Sequence, residues 1–107
     1  MSYQTDFSIE EFRARRAAVC QQIGEASALV AGAPADNGSI AFRQYNDFYY
    51  LCGVEVPQSY LLIDGPTGHT TLFLPEAAHL VVDSDGPLLC ADAPDFVIKT
   101  TGVDAVA

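Results

Sequence analysis

Two β-prone runs, separated by a loop that holds two glycines and a proline, constrain the fold of this chain more than any other feature. The runs are residues 59–63 (SYLLI) and 70–74 (TTLFL), and the loop is residues 64–69 (DGPTGH). Such runs on either side of a glycine-containing loop are typical of a β-hairpin. Pro75 then ends the second strand, because proline has no N–H to donate to a neighbouring strand. We therefore expect an antiparallel pair of strands in the fold.

A helix is predicted between Ser8 and Gly24. Ser8 has the position of the first residue in a capping box, and the side chains of Phe7 and Phe12 flank it as a hydrophobic staple. Apolar residues recur at the helical period, and Gly24 suits a left-handed C-terminal cap. Arg16 falls on the apolar side, so we expect its stem to lie along that side with the charged head in water.

The remaining elements are short. Residues 26–33 (ASALVAGA) are apolar and bounded by Gly24 and Pro34, which favours a buried strand. Residues 48–52 suit one or two helical turns, with Asn46 or Asp47 as the N-cap and Gly53 as the stop. The other predicted strands are residues 39–43, 88–91 and 96–100. Beyond these, residues 76–80 fit a helical turn, or residues 80–83 fit a strand instead. One helix and several short strands predict an α/β domain with a mixed sheet.

Residues 42–53 (FRQYNDFYYLCG) combine aromatic and polar side chains more densely than any other stretch. Such a mixture is typical of a surface where aromatic rings are buried and polar groups fix an orientation. The candidate contact residues are Arg43, Asp47, Phe48, Tyr49 and Tyr50. In the alternative interpretation, the aromatic side chains pack this helical turn onto the sheet, and Arg43 and Asp47 form an internal ion pair that fixes the turn.

The formal net charge of −9, with only five lysines and arginines, excludes some partners. Nucleic acids and anionic membranes are unfavourable partners for this chain, whereas a cationic group such as a peptide amino terminus is favoured. The first residues lack the pattern of a secretory signal, and no apolar run approaches the length of a membrane span. Cys20, Cys52 and Cys90 are widely spaced and predict buried free thiols in the cytoplasm rather than a disulfide framework.

The pattern of reactive residues predicts no catalytic site and no metal or cofactor bound by this chain. Glu76 and His79 have the spacing of a metal-binding pair, but no second pair accompanies them, which favours a surface helical turn. Asp83 and Asp85 are interpreted as an acidic turn, because the loop is too short for an EF-hand. No Gly-x-Ser-x-Gly elbow is present, and Cys52 is interpreted as a packed thiol.

The order of these features resembles the N-terminal domain of Xaa-Pro aminopeptidases (aminopeptidase P), within the creatinase and prolidase group. The resemblance covers about residues 9–75 and is most specific at residues 42–53, which match the pattern FRQxNDFYYLxG. Gly102, Val103 and Asp104 also resemble the GVD near the end of that domain's sheet. Residues 76–86 depart from the family, because many relatives carry a tryptophan and an arginine in an E-x-W-x-G-x-R segment there.

The resemblance implies a mixed β-sheet flanked by helices, with residues 1–107 forming one domain that is truncated near its C-terminal end. It implies a non-catalytic role in oligomerisation and active-site access, with the candidate contact residues at the interface or the access route. The partners would be the protein's own C-terminal catalytic domain, neighbouring subunits and the peptide substrate. That catalytic domain would hold two divalent metal ions, usually manganese, and remove an N-terminal residue that precedes proline. The alternative is a stand-alone creatinase-like module that binds a peptide or protein without peptidase activity. Truncation also implies that the isolated chain self-associates through exposed sheet.

Overall fold

The computed structural model describes residues 7–34, 44–76 and 89–107. Three helices lie in these parts of the chain: α1 Ile9–Ile23, α2 Asn46–Cys52 and α3 Pro94–Thr101. Four strands lie there as well: β1 Ser27–Ala31, β2 Tyr60–Asp64, β3 Thr70–Phe73 and β4 Ala105–Val106. None of the described helices combines the length and apolar character that a membrane crossing requires.

The predicted hairpin is confirmed as the antiparallel pair β2–β3, in which Leu61 lies opposite Leu72. Two main-chain hydrogen bonds close its turn. The amide of Asp64 donates to the carbonyl of His69 at 2.9 Å, and the amide of Gly68 donates to the carbonyl of Asp64 at 2.7 Å. Gly68 has a φ of +73°, a conformation that costs glycine little. The glycine-containing loop therefore forms the hairpin turn that its sequence predicts.

The four strands form one sheet in the order β1-β2-β3-β4. The pair β1–β2 is antiparallel, whereas β4 runs parallel to β3, with Ala105 opposite Thr71. A parallel neighbour requires a crossover connection, and α3 lies within it. Asp104 secures the start of β4, since Thr70 N donates to its Oδ2 at 2.8 Å and its own amide donates to Thr70 O at 2.9 Å. The mixed sheet predicted from the sequence is confirmed.

Helix α1 begins as predicted. Ser8 Oγ accepts a hydrogen bond from the Glu11 amide at 3.2 Å, and the rings of Phe7 and Phe12 meet edge to face with centroids 6.3 Å apart. The carboxylate of Glu11 pairs with Arg15 at 3.4 Å. Gly24 follows the helix and donates its N–H to Cys20 O, but its φ of +62° and ψ of −116° are not the left-handed conformation that the sequence predicted.

The core lies on one face of the sheet. Side chains alternate along β2 and β3, so that Leu61, Ile63 and Leu72 point inward and are fully buried. Phe48 from α2 and Val97 from α3 pack with them in one apolar cluster. Burying each such side chain contributes about 1.5–3 kcal/mol. The helices and the inner face of the sheet therefore share a single core.

Strand β1 is present but is not buried, so that part of the prediction was wrong. It lies at one end of the described sheet, its side chains alternate between half-buried and exposed, and Leu29 is 66% exposed. The same apolar run can form a central strand or an edge strand. The position within the sheet depends on strand pairing that no local pattern contains.

The strand predicted at residues 96–100 is also wrong, because these residues belong to helix α3. Pro94 lies in the first turn together with Asp95, and Gly102 ends the helix at a φ of +76°. These are helix boundary signals, and the burial of Val97 and Thr101, four residues apart, shows the helical period. Residues 89–91 form loop and turn rather than the predicted strand. The predictions for residues 39–43 and 77–88 fall outside the described residues.

Candidate functional site

Helix α2 carries most of the aromatic stretch and ends where the sequence predicts. Gly53 adopts the left-handed conformation, with φ +70° and ψ +18°, and its N–H donates to Tyr49 O at 2.8 Å. The N-cap is Tyr45 rather than Asn46 or Asp47, and no side chain caps the first turn. Asp47 instead lies inside the first turn, where its negative charge interacts favourably with the helix dipole.

The α2 helix separates the predicted contact residues between two faces. Phe48 has no exposed surface and belongs to the core, as the alternative interpretation expected, while Tyr49 is half-buried. Asp47 is exposed and Tyr50 is 53% exposed, and their spacing of three residues places them on one helix face. Arg43, and with it any ion pair to Asp47, lies outside the described residues.

Arg15 joins α1 to this face of α2. Its guanidinium carbon lies 4.3 Å from the ring centroid of Tyr50 and 5.0 Å from those of Phe7 and Phe12. Its Nη1 donates to Tyr50 O at 3.1 Å, and its side chain is only 15% exposed. Arginine stacked on aromatic faces is stabilised by cation–π attraction. The aromatic ring of Tyr50 is therefore held in place from one side.

Arg16 lies deeper, and the prediction that its charged head is in water was wrong. The residue is 4% exposed, and its Nη1 and Nη2 donate to Leu51 O at 2.8 Å and Gly102 O at 3.1 Å. Burial lowers the pKa of this guanidinium, and the negative charge of Asp104 opposes that effect. The acceptors belong to α2 and to the C-terminal cap of α3, so nothing within α1 indicated that the head would be buried.

Gln44 is the second polar anchor that the sequence reasoning missed. Its Oε1 accepts from Ala33 N at 2.7 Å and Tyr45 N at 3.1 Å, while its Nε2 donates to Val54 O at 3.1 Å and Val56 O at 3.3 Å. One amide thus joins the segment after β1 to the chain on either side of α2. Its place inside the densest aromatic and polar stretch was the available signal.

Cys52 is a packed thiol, as its sequence context predicted. Burial raises the pKa of Cys52 to about 12, so its thiol is protonated at neutral pH and is not a nucleophile. His69 lies exposed beside the hairpin turn, and His79 falls outside the described residues. Within residues 7–34, 44–76 and 89–107, no group of three or more histidines, cysteines or carboxylates fits a metal ion.

A shallow cleft of about 310 Å³ lies where α1 meets the hairpin turn and the chain before β4. Arg13, Arg16, Thr70 and Asp104 are among the residues that line it. Arg13 Nε and Arg16 Nη2 both donate to Gly102 O, each at 3.1 Å. These hydrogen bonds satisfy the main-chain oxygen at the C-terminal cap of α3. The positions of the two arginines are therefore explained without a bound ligand.

Comparison with known proteins identifies the family. The family described as "Aminopeptidase P, N-terminal domain" matches residues 12–106, which is most of the chain. The chain belongs to this family. The aminopeptidase P N-terminal domain therefore comprises α1, the mixed sheet and α3 together, well beyond the aromatic stretch that first indicated it.

Relatives of this aminopeptidase P domain are known from sequence and from structure. A probable Xaa-Pro aminopeptidase of Ajellomyces capsulatus is 39% identical over 72 residues, covering 66% of this chain and 14% of the relative. Another, of Phaeosphaeria nodorum, is 48% identical over 40 residues, covering 37% of this chain and 9% of the relative. Zinc-substituted aminopeptidase P of Escherichia coli, in complex with product, matches 96% of this chain and 24% of its own, at 27% identity and a TM-score of 0.73. The low-pH form of that enzyme matches at 28% identity and a TM-score of 0.72, over 95% of this chain and 24% of its own.

Proposed function

We propose that this chain serves as the non-catalytic N-terminal domain of a metal-dependent Xaa-Pro aminopeptidase, which removes an N-terminal residue that precedes proline. The observation that carries the proposal is the family match over residues 12–106. The likeness to Escherichia coli aminopeptidase P along 96% of this chain supports it. Because the chain spans 24% of that enzyme, the activity itself is assigned to a catalytic domain outside residues 1–107.

The proposed work of this domain is subunit association and control of access to the catalytic domain. The exposed face of α2, with Asp47 and Tyr50, supports a contact role. Tyr49 lies beside that face, Phe48 anchors the helix from below, and Arg43 remains a candidate from the sequence. The partners would be the protein's own catalytic domain, neighbouring subunits and the peptide substrate.

The metal ions of the proposed enzyme are not assigned to this chain. The described carboxylates, imidazole and thiols do not form a cluster that fits a metal ion. We therefore place the two divalent ions, with manganese as the proposed metal, in the catalytic domain. A cytoplasmic location is proposed from the free thiols Cys20, Cys52 and Cys90.

The decisive experiment uses the natural polypeptide that carries this chain. Its purified form is assayed on two peptides that differ only at the second residue, proline or alanine, with manganese and after treatment with a chelator. We expect manganese-dependent release of the first residue from the proline peptide alone. Absence of that activity, in a polypeptide that folds and binds manganese, overturns the proposal.

The alternative function is a stand-alone module that binds a peptide or protein. One observation favours it, namely that α2 presents a half-exposed tyrosine and an exposed carboxylate on one face. A natural polypeptide without peptidase activity that still binds a peptide through Tyr50 would select this alternative.

A further inference from the structure

We infer that the exposed face of α2, formed by Asn46, Asp47 and Tyr50, binds a cationic side chain of a protein partner. Tyr50 lies three residues after Asp47 and four after Asn46, so the three side chains share one helix face. All three are exposed. The inference rests on the contact role proposed above for this helix, and it adds the chemistry of the partner.

The aromatic ring of Tyr50 is held for such a contact. Arg15 stacks against it at 4.3 Å and donates to its main-chain oxygen at 3.1 Å. Despite this contact, Tyr50 is 53% exposed. A tyrosine that is already fixed loses little conformational entropy on binding, which favours it as an anchor for a partner. Its exposed side is available to a second cation, since an aromatic face attracts guanidinium and ammonium groups.

The charge around this face selects a cation. Within the described residues, no ion pair engages the Asp47 carboxylate, whereas the Arg15 charge is offset by Glu11 at 3.4 Å. Glu10 and Glu11 lie in the first turn of α1, the helix whose Arg15 stacks on Tyr50. After Arg43 the sequence contains no lysine or arginine before Lys99, and the net charge of the chain is −9. A cationic partner is therefore attracted over distance and an anionic one is repelled.

Arginine fits this face better than lysine does. A planar guanidinium can stack on the Tyr50 ring while its N–H groups reach a carboxylate such as that of Asp47. The ammonium of lysine is compact and strongly hydrated, so it makes only one of these contacts well. The partner is thus a protein segment that presents an arginine.

The test measures binding of the natural polypeptide to an immobilised peptide of alternating alanine and arginine, and to its alanine and glutamate counterpart. We expect binding to the arginine peptide alone, weakening as salt concentration rises. Asp47→Asn should weaken it about threefold or more, and Tyr50→Leu by a similar factor, whereas Tyr50→Phe should keep most of the affinity. Asp95→Asn is the matched control, since it removes the same charge from the exposed first turn of α3.

Three outcomes overturn the inference: no binding of the arginine peptide, equal binding of the glutamate peptide, or equal losses from Asp47→Asn and Asp95→Asn. Equal losses would mean that net charge alone attracts the peptide. If Tyr50→Leu fails to fold, the Asp47 and Asp95 pair decides the question. A polypeptide that cleaves Xaa-Pro peptides but fails this test refutes the inference and leaves the proposed function standing.

Discussion

The guanidinium of Arg16 donates to the main-chain oxygen of Gly102 across 3.1 Å, although Arg16 lies in α1 and Gly102 caps α3. A second hydrogen bond, to Leu51 O at 2.8 Å, joins the same side chain to α2. One buried arginine thus connects all three described helices. The domain depends on it because a buried carbonyl without a donor costs free energy.

Replacing Arg16 should destabilise the domain strongly. Arg16→Met removes two charge-assisted hydrogen bonds and leaves Leu51 O without its side-chain donor, whereas Gly102 O keeps the donor of Arg13. We expect the free energy of unfolding to fall by about 3 kcal/mol or more. The control is Arg13→Met, because Arg13 is exposed and makes one hydrogen bond to the same Gly102 oxygen. Its loss should not exceed about 1 kcal/mol. Urea unfolding followed by circular dichroism checks both, and equal losses would contradict the assignment.

Gly102 should tolerate no side chain. Its φ is +76°, and a Cβ added there would overlap Ile9 Cγ2 of α1. Gly102→Ala should therefore cost about 1–2 kcal/mol for the backbone conformation and about 1–3 kcal/mol more for overpacking. Gly68→Ala is the matched control, since its φ is +73° and a Cβ there meets nothing within 4 Å. The unfolding midpoints in urea should differ clearly, and similar midpoints would show that no overlap occurs.

Gln44→Glu should destabilise the fold without changing the size of the side chain. A carboxylate cannot donate to the carbonyl oxygens of Val54 and Val56, which the Gln44 amide now satisfies. We expect a loss of about 2–4 kcal/mol in the free energy of unfolding. Gln22→Glu, on the exposed side of α1, is the control and should stay within about 0.5 kcal/mol. An unchanged midpoint for Gln44→Glu would refute the bridging role.

Asp64 should contribute to acid sensitivity. Thr67 Oγ1 donates to Asp64 Oδ2 at 2.6 Å and Ser27 Oγ donates to its Oδ1 at 3.1 Å, and these hydrogen bonds lower the pKa of Asp64. Because the pKa of Asp64 is lower in the folded state than in the unfolded state, its ionised carboxylate stabilises the fold above about pH 4. This stabilisation is lost as pH falls through the folded-state pKa. Unfolding midpoints measured from pH 6 down to about pH 2 should fall less steeply for Asp64→Asn. Parallel curves for the two proteins would contradict this linkage.

The isolated chain of 107 residues should self-associate. Leu29 is 66% exposed on the face of the sheet that the core does not use, and the half-exposed Tyr60 lies on the same face. Apolar surface on an edge strand promotes association between chains. Light scattering should show assemblies of the unsubstituted chain. Leu29→Lys should reduce them, whereas Leu29→Val, which keeps an apolar side chain, should retain them. A monodisperse monomer of the unsubstituted chain would refute this prediction.

Local sequence signals determined the hairpin β2–β3 and the helices α1 and α2. The Ser8 cap, the Phe7–Phe12 contact and the Gly53 stop each join residues that are only a few positions apart. The local sequence therefore contains all the residues that these interactions need. The set of predicted elements also indicated the mixed sheet, and the order of features with the motif at residues 42–53 indicated the family. The aromatic stretch contains α2, but sequence alone did not separate buried Phe48 from exposed Tyr50.

Tertiary structure decided the rest. Residues 96–100 suit a strand or a helix by composition. The boundary residues Pro94 and Gly102 favour a helix, and the burial of Val97 in the shared core stabilises it. Leu29 is exposed because β1 lies at the end of the described sheet. Arg16 is buried because its acceptors are carbonyl oxygens 35 and 86 residues further along the chain. Burial and hydrogen bonding between distant segments depend on how the whole chain packs, and no local pattern of residues contains that information.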